Sequence, residues 1–342
     1  MPKPVVLITG ANGEIGRSLL QTVAEHGGFD VVTLDLALPL EKVRPMVSAS
    51  YAGNIMDRYL LDQVAAHHEV DMVFHLAALL SARGERDPEL AHQINVEGTL
   101  NVLRMATNQS ARLGRPVRFL FPSSIAVYGL PSPDEKRALG RVREEQWNLP
   151  ITMYGCNKLY CEHVGRYYTH HAARARAEGD ARIDFRAIRF PGLISAETAP
   201  TGGTSDFGPA MIHAAASGTH YECFVAPDAR LPFMAMPDAV RALMDLARAE
   251  RSKLKASAYN IGAFSLSASQ IAERVRKAFP AARIEYVPSA ARGAIVESWP
   301  EDVDDTRART DWGWAPAYSW DRAVDEYLVP TLTAKYGTTS SR

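Results

Sequence analysis

The chain has 342 residues, with 38 Lys and Arg against 39 Asp and Glu, a formal net charge of −1 and 46% hydrophobic residues. Such balance excludes a basic field for nucleic acid and an acidic disordered tail. No apolar run reaches the roughly 20 residues that a membrane helix needs, and the opening "MPKPVVLITG" lacks the basic and apolar regions of a signal peptide. The length suits one large domain or two modest ones. Three cysteines (Cys156, Cys161, Cys223) without CxxC spacing point to a reducing compartment, so a cytoplasmic protein is expected. His67–His68 and His170–His171 are adjacent pairs that diverge on a helix, and HExxH is absent, so no metal site is expected.

In chain order, "PVVLITG" (4–10) reads as a buried strand ended by Gly10, and "EIGRSLLQTVAEHG" (14–27) as an amphipathic helix stopped by glycine. "FDVVTLDL" (29–36) is a second strand, "MDRYLLDQVAAHH" (56–68) a helix and "VDMVFHLAA" (70–78) a third strand. A long helical stretch (88–114) precedes the strand "VRFLFPSS" (117–124), and a further helix (152–179) precedes the strand "IDFRAIRFPG" (183–192). Strands alternating with helices mean a parallel sheet covered on both faces. After Pro191 the rhythm breaks into loops and short mixed elements. The expected architecture is α/β: a Rossmann-type doubly wound parallel sheet over 1–190, regaining a strand near 257–263, with a smaller mixed α/β domain over 191–336. The polar stretch 129–150 could be a lid or a solvated excursion, and "GTTSSR" at the end is expected to fray.

The stretch "TGANGEIG" places Gly10, Gly13 and Gly16 after the first strand and at the mouth of a helix. Glycines allow a tight turn and a close approach of the backbone to a pyrophosphate, which sits on N–H groups at the helix N-terminus. Asp35 ends the second strand. Its carboxylate suits the adenosine ribose hydroxyls and repels a 2′-phosphate, which favours NAD over NADP. "GNI" (Gly53, Asn54, Ile55) and "HLAA" (His75 to Ala78) fall at further strand ends of the same crevice. Lying inside a buried strand, His75 reads as a core histidine rather than a base.

Ser123 and Ser124 end the strand before the 129–150 stretch, and Tyr154 and Lys158 follow four residues apart on a helix, hence on one face. A hydroxyl with a Tyr-x-x-x-Lys pair suits hydride chemistry on a secondary alcohol. Free tyrosine titrates near ~10, so service as a base near pH 7 needs about 4 kcal/mol of phenolate stabilisation. A lysine charge ~5 Å away supplies about 3 kcal/mol at an effective dielectric of ~20.

Together "GANGEIG", "HLAA", "SSIAVYG" and "YGCNK" resemble the extended short-chain dehydrogenase/reductase superfamily, which includes sugar-nucleotide epimerases. "HLAALLSARGERDP", "RFPGLIS", "PTGGTSDF", "DARLPFMAMPDA" and "ESWPEDVDDTRARTDWGW" narrow the resemblance to the epimerase-type L-threonine 3-dehydrogenases. The resemblance implies NAD-dependent oxidation of the L-threonine side-chain hydroxyl to 2-amino-3-ketobutyrate. It implies Tyr154, Lys158 and Ser124 as catalytic residues. It implies a cofactor set of Gly10, Asn12, Gly13, Glu14, Ile15, Gly16, Asp35, Asn54, Ile55, Leu76, Ala77, Ala78, Tyr154, Lys158 and Pro191. Amino-acid contacts would be Ser81, Ser123, Ser124, Tyr154, Gly192, Thr204 and Trp299, with Arg189, Pro191 and Gly192 near the nicotinamide side. A homodimer through long helices is the expected assembly.

Three departures from the family pattern stand out: Asn54 for aspartate, Ser205 and Phe207 for threonine and tyrosine, and longer stretches at 129–150 and "ARARAEGDAR". The substrate carboxylate needs donors, which "PTGGTS" could offer as successive backbone N–H groups. Asp206 reads as a turn carboxylate rather than a ligand contact. The alternatives are a dehydrogenase of another small 3-hydroxy acid, a sugar-nucleotide epimerase, and a catalytically silent NAD-sensing protein; the last tends to lose the tyrosine–lysine pair, which is present here.

Overall fold

The computed structural model describes residues 3–172 and 183–337. The "ARARAEGDAR" stretch and the terminal "GTTSSR" lie, wholly or nearly so, outside the described residues. The chain divides into two compact units, neither contiguous in sequence. The first comprises Met1–Ser124, Met153–Arg189 and Val240–Tyr259, and the second Ile125–Thr152, Phe190–Ala239 and Asn260–Arg342.

The first unit is built on a seven-stranded sheet. Its spatial order is Ala258–Asn260, Ile183–Phe190, Val117–Ser124, Val70–His75, Val5–Thr9, Asp30–Asp35 and Ala49–Ala52. Val5–Thr9 pairs in parallel with both Asp30–Asp35 and Val70–His75, and Val70–His75 with Val117–Ser124. This is the doubly wound arrangement that the alternating runs predict. Chain direction across the sheet reverses at Val5–Thr9, so the switch-point crevice opens outside the C-terminal ends of that strand and of Val70–His75. The strands are near-continuous apolar runs because both faces are covered, and Leu7, Val32, Val73, Phe119 and Phe185 are among the fully buried side chains of the core.

Helix ends follow local chemistry. Glu14–His26 stops at Gly27 in the left-handed region (φ 63°), and Arg58–His67 starts on Asp57, whose carboxylate accepts from the Tyr59 and Leu60 N–H groups. The helical stretch predicted over 88–114 is interrupted: Pro88–His92 runs through a π turn, Gln93–Glu97, into Gly98–Leu113.

The second unit holds a three-stranded sheet of Gly192–Ile194, Arg230–Ala235 and Phe264–Ser267, and two two-stranded pairs. The 129–150 stretch is folded rather than loose. It carries the helix Pro133–Leu139 and the short strand Arg141–Val142, which pairs in parallel with Asp302–Val303. A Cβ on Gly129 would lie 1.7 Å from the Leu149 carbonyl oxygen, so this doubling-back requires glycine there. Among the described residues no helix is long and apolar enough to cross a membrane, and no group of three or more His, Cys, Asp or Glu could hold a metal ion.

Candidate active site

The strand-to-helix turn at Gly10 is tightly built. Gly10 has φ +70°, and a Cβ there would lie 2.5 Å from the Ala77 nitrogen; a Cβ on Gly16 would lie 2.4 Å from the Gly10 carbonyl oxygen. The turn therefore has no room for side chains at either position. Beside it is a crevice of about 390 Å³, lined by Gly10, Asn12, Gly13, Asp35, Asn54, Ile55, Leu76, Ala77 and Ala78 among others. Glu14, Ile15 and Gly16 form the first helical turn, at the N-terminal end where the helix dipole suits a pyrophosphate. A narrow glycine cradle, a helix N-terminus and an apolar pocket ending in a carboxylate fit a dinucleotide.

Asp35 also builds the pocket. Its carboxylate accepts from the Asn12 N–H at 2.8 Å and from the Leu36 N–H at 2.7 Å, which ties the glycine loop to the end of the second strand. Asn54 closes its own turn, its carboxamide oxygen accepting from the Met56 N–H at 3.0 Å. A carboxylate would accept the same bond, so the departure at Asn54 costs the loop nothing.

The Tyr154–Lys158 face of the helix Met153–His170 meets the end of the strand Val117–Ser124. Lys158 is buried; its Nζ donates to the Pro122 carbonyl at 2.6 Å, lies 4.4 Å from the Phe121 ring centre and 5.5 Å from the Tyr154 ring centre. Burial lowers the Lys158 pKa to about 8, against the opposing pull of Cys161 and Glu162. Tyr154 is half-buried by exposed area, and its packed surroundings push the phenol above its ordinary range. Burial thus works against the phenolate, and the Lys158 ammonium, 5.5 Å from the ring centre, is the neighbouring charge placed to oppose it.

Ser124 is half-buried at the strand end. Ser123 is buried, and its hydroxyl donates to Glu162 Oε1 at 2.5 Å. Glu162 is in turn gripped by Arg189, with Nε–Oε1 at 2.9 Å and Nη2–Oε2 at 2.6 Å. Ser123 and Arg189 thus share a buried network through Glu162. Sequence reasoning passed over Glu162, although its spacing of four from Lys158 puts both on one helix face.

His75 is 1% exposed, between Thr9 Oγ1 (2.8 Å to Nδ1) and Thr99 Oγ1 (3.0 Å to Nε2). Thr99 donates its own proton to the Asn95 carbonyl, so it accepts from Nε2–H, and Nδ1 accepts from Thr9. Burial, with a smaller push from Lys158, lowers the His75 pKa to about 3. A neutral core histidine is what the sequence reading expected. The π turn supplies a second feature invisible in the sequence: Asn95 bonds both the N–H and the C=O of Leu79, at 2.7 and 3.0 Å, and so fixes the segment leading to the buried Ser81.

In the second unit, Pro191 is buried, and Gly192 opens a strand where a Cβ would lie 2.5 Å from the Phe233 ring. Thr204 is buried. The Gly202 and Gly203 N–H groups donate to Asp206 Oδ2 at 2.9 and 2.6 Å. The idea that these amides stand ready for a substrate carboxylate is corrected: Asp206 already takes them, as a turn carboxylate. Trp299 is 4% exposed, and its buried indole N–H has no acceptor among the described residues.

A doubly wound sheet, a glycine cradle closed by Asp35 and a Tyr-x-x-x-Lys pair with its lysine buried define a nicotinamide-dinucleotide enzyme fold. Residues 6–262 match the NAD dependent epimerase/dehydratase family, and the chain belongs to that family. The mitochondrial L-threonine 3-dehydrogenase of Bos taurus is 34% identical over 311 residues, covering 90% of this chain and 78% of that protein. The holo GalE-like L-threonine dehydrogenase of Cupriavidus necator is 35% identical with a TM-score of 0.81, covering 99% of this chain and 100% of that one. A monomeric L-threonine 3-dehydrogenase from a metagenome, in its apo form, is 32% identical with a TM-score of 0.82, covering 97% and 99%.

Proposed function

We propose that this protein is an NAD-dependent L-threonine 3-dehydrogenase, which oxidises the secondary hydroxyl of L-threonine to 2-amino-3-ketobutyrate. The observation that carries the reading is Lys158, wedged between the Pro122 carbonyl and the Tyr154 ring at the end of the strand that bears Ser124. The likeness to L-threonine dehydrogenases along nearly the whole chain supports the choice of substrate.

The chemistry that NAD supplies when bound is acceptance of a hydride. Gly10, Asn12, Gly13 and the first-turn N–H groups of Glu14, Ile15 and Gly16 hold the pyrophosphate, and Asp35 holds the adenosine ribose. Asn54, Ile55, Leu76, Ala77 and Ala78 would line the adenine and middle part of the dinucleotide, and Pro191 is a further cofactor residue by resemblance. Tyr154, as phenolate, removes the substrate hydroxyl proton. Lys158 stabilises that phenolate and orients it. Ser124 donates to the substrate oxygen as it turns from alcohol to carbonyl. Ser123 steadies this strand end through Glu162. The first unit is thereby the NAD-binding part. The second is the substrate-binding part, with Gly192, Thr204 and Trp299 as amino-acid contacts; Ser81 of the first unit is a further amino-acid contact by the same resemblance.

We place the protein in the cytoplasm, on its free cysteines. A homodimer through the helices of 88–113 and 153–170 fits Tyr160 and Tyr167, which are 51% and 47% exposed on the second of these. The monomeric neighbour makes light scattering the deciding measurement.

The test is NADH formation by the purified protein with L-threonine, D-threonine, L-serine, 3-hydroxybutyrate and a UDP-sugar. L-Threonine should give the highest kcat/KM. Turnover of the UDP-sugar without L-threonine oxidation would move the protein to the epimerases.

A further inference from the structure

Two donors meet at one oxygen in the second unit. The carbonyl of Val296, at the end of the helix Ala290–Glu297, accepts from the Lys136 ammonium at 3.1 Å and from the Trp299 backbone N–H at 3.2 Å. The Lys136 side chain is 1% exposed, and its other partner is Glu297 Oε2 at 3.4 Å. Two residues on, the Ser298 carbonyl accepts from the Leu130 N–H at 2.7 Å.

A buried ammonium is expensive, and a methionine of similar length would pack as well without the desolvation cost. What a methionine lacks is a donor for the last carbonyls of a helix, where the backbone dipoles concentrate negative charge. Lys136 supplies that donor one turn before the chain reaches Trp299. The rest of the 129–150 stretch fastens the chain beyond Trp299: Arg141–Val142 pairs with Asp302–Val303, and the Asp304 N–H donates to the Val142 carbonyl at 2.9 Å. Lys136 and the Leu130 N–H act on the approach to Trp299, and of the two only Lys136 does so through a side chain.

We propose that Lys136 is a positioning residue for Trp299: its ammonium fixes the Val296 carbonyl that holds the Trp299 backbone, and so sets affinity for the amino-acid substrate. The consequence for affinity rests on the reading of Trp299 as an amino-acid contact; the positional part does not.

The experiment uses the full chain and two readouts. In K136M, hydrogen exchange of the Trp299 amide should quicken about tenfold, while the Asp304 amide keeps its protection. The KM for L-threonine should rise about fivefold, with kcat and the KM for NAD changed less than about twofold. In a W299F background the same substitution should leave the KM for L-threonine where W299F alone puts it. Unchanged exchange at Trp299, or a KM effect of full size in the W299F background, would overturn the proposal. If W299F alone leaves the KM unaltered, the substrate reading of Trp299 fails and amide exchange decides the positional claim. Should K136M not fold, the milder K136Q removes the charge and shortens the reach to the Val296 carbonyl while keeping a polar side chain. A Trp299 amide that exchanges about threefold faster then supports the proposal, and an unchanged rate overturns it.

Discussion

The Lys158 ammonium lies 2.6 Å from the Pro122 carbonyl oxygen, which joins the helix of Tyr154 to the strand of Ser124 by a charge-assisted hydrogen bond. The same nitrogen is 5.5 Å from the Tyr154 ring centre. Fixing one nitrogen therefore fixes both the charge that acts on the phenol and the register of helix against strand.

Removing the phenol and removing the charge should have different signatures. Tyr154→Phe should lower kcat about 10³-fold at every pH, with NADH binding retained. Lys158→Met should lower it most at low pH: across 5.5 Å at an effective dielectric of ~20 the charge is worth about 3 kcal/mol, so the acid limb of the rate profile should move up by about two pH units. Stopped-flow pH profiles with L-threonine check this, and an acid limb that stays put in Lys158→Met removes the charge from the mechanism.

Asp35 has two jobs. Asp35→Asn removes the negative charge and keeps an acceptor for only one of the two amides, because the Asn12 and Leu36 N–H groups bind different carboxylate oxygens. The KM for NAD should rise by about tenfold, and preference should move toward NADP as repulsion of a 2′-phosphate is lifted. NADH and NADPH titrations by fluorescence measure both, and an unaltered NADP-to-NAD ratio would remove Asp35 from cofactor choice.

Buried and neutral, His75 makes stability depend on acid. Its folded pKa, about 3, lies below the unfolded value of 6.5, so between them the unfolded chain binds the extra proton. The stability it allows is complete above pH 6.5 and is lost as pH falls toward 3. By pH 5 the loss is about 2 kcal/mol from this residue alone. Urea unfolding at pH 7 and pH 5 should show a smaller pH effect in His75→Asn than in the parent chain.

The parallel sheet was legible because buried strands advertise themselves as apolar runs and the helices between them keep their own period. The dinucleotide turn was legible because glycine has no substitute at Gly10, where φ is positive and a backbone atom stands 2.5 Å from any Cβ. The 129–150 stretch was not: Arg141–Val142 is a strand only because Asp302–Val303 lies beside it, and no local period announces a pairing across that separation. The π turn at Gln93–Glu97 sits inside an ordinary helical pattern, and what selects it is the contact of Asn95 with Leu79. Ser123 and Ser124 are neighbours of identical chemistry, and only the facing Glu162 tells them apart.

The last strand of the first sheet, Ala258–Asn260, lies against Ile183–Phe190, with the Ala187 N–H donating to the Ser257 carbonyl at 2.8 Å. A ribosome making this chain must release it past residue 260 before that sheet can close. Until then a nascent chain carries Ile183–Phe190, buried along its whole length in the finished protein, as an open edge. Chaperone demand and losses to aggregation during synthesis should concentrate in that interval, and chains truncated before Ala258 should accumulate as insoluble material.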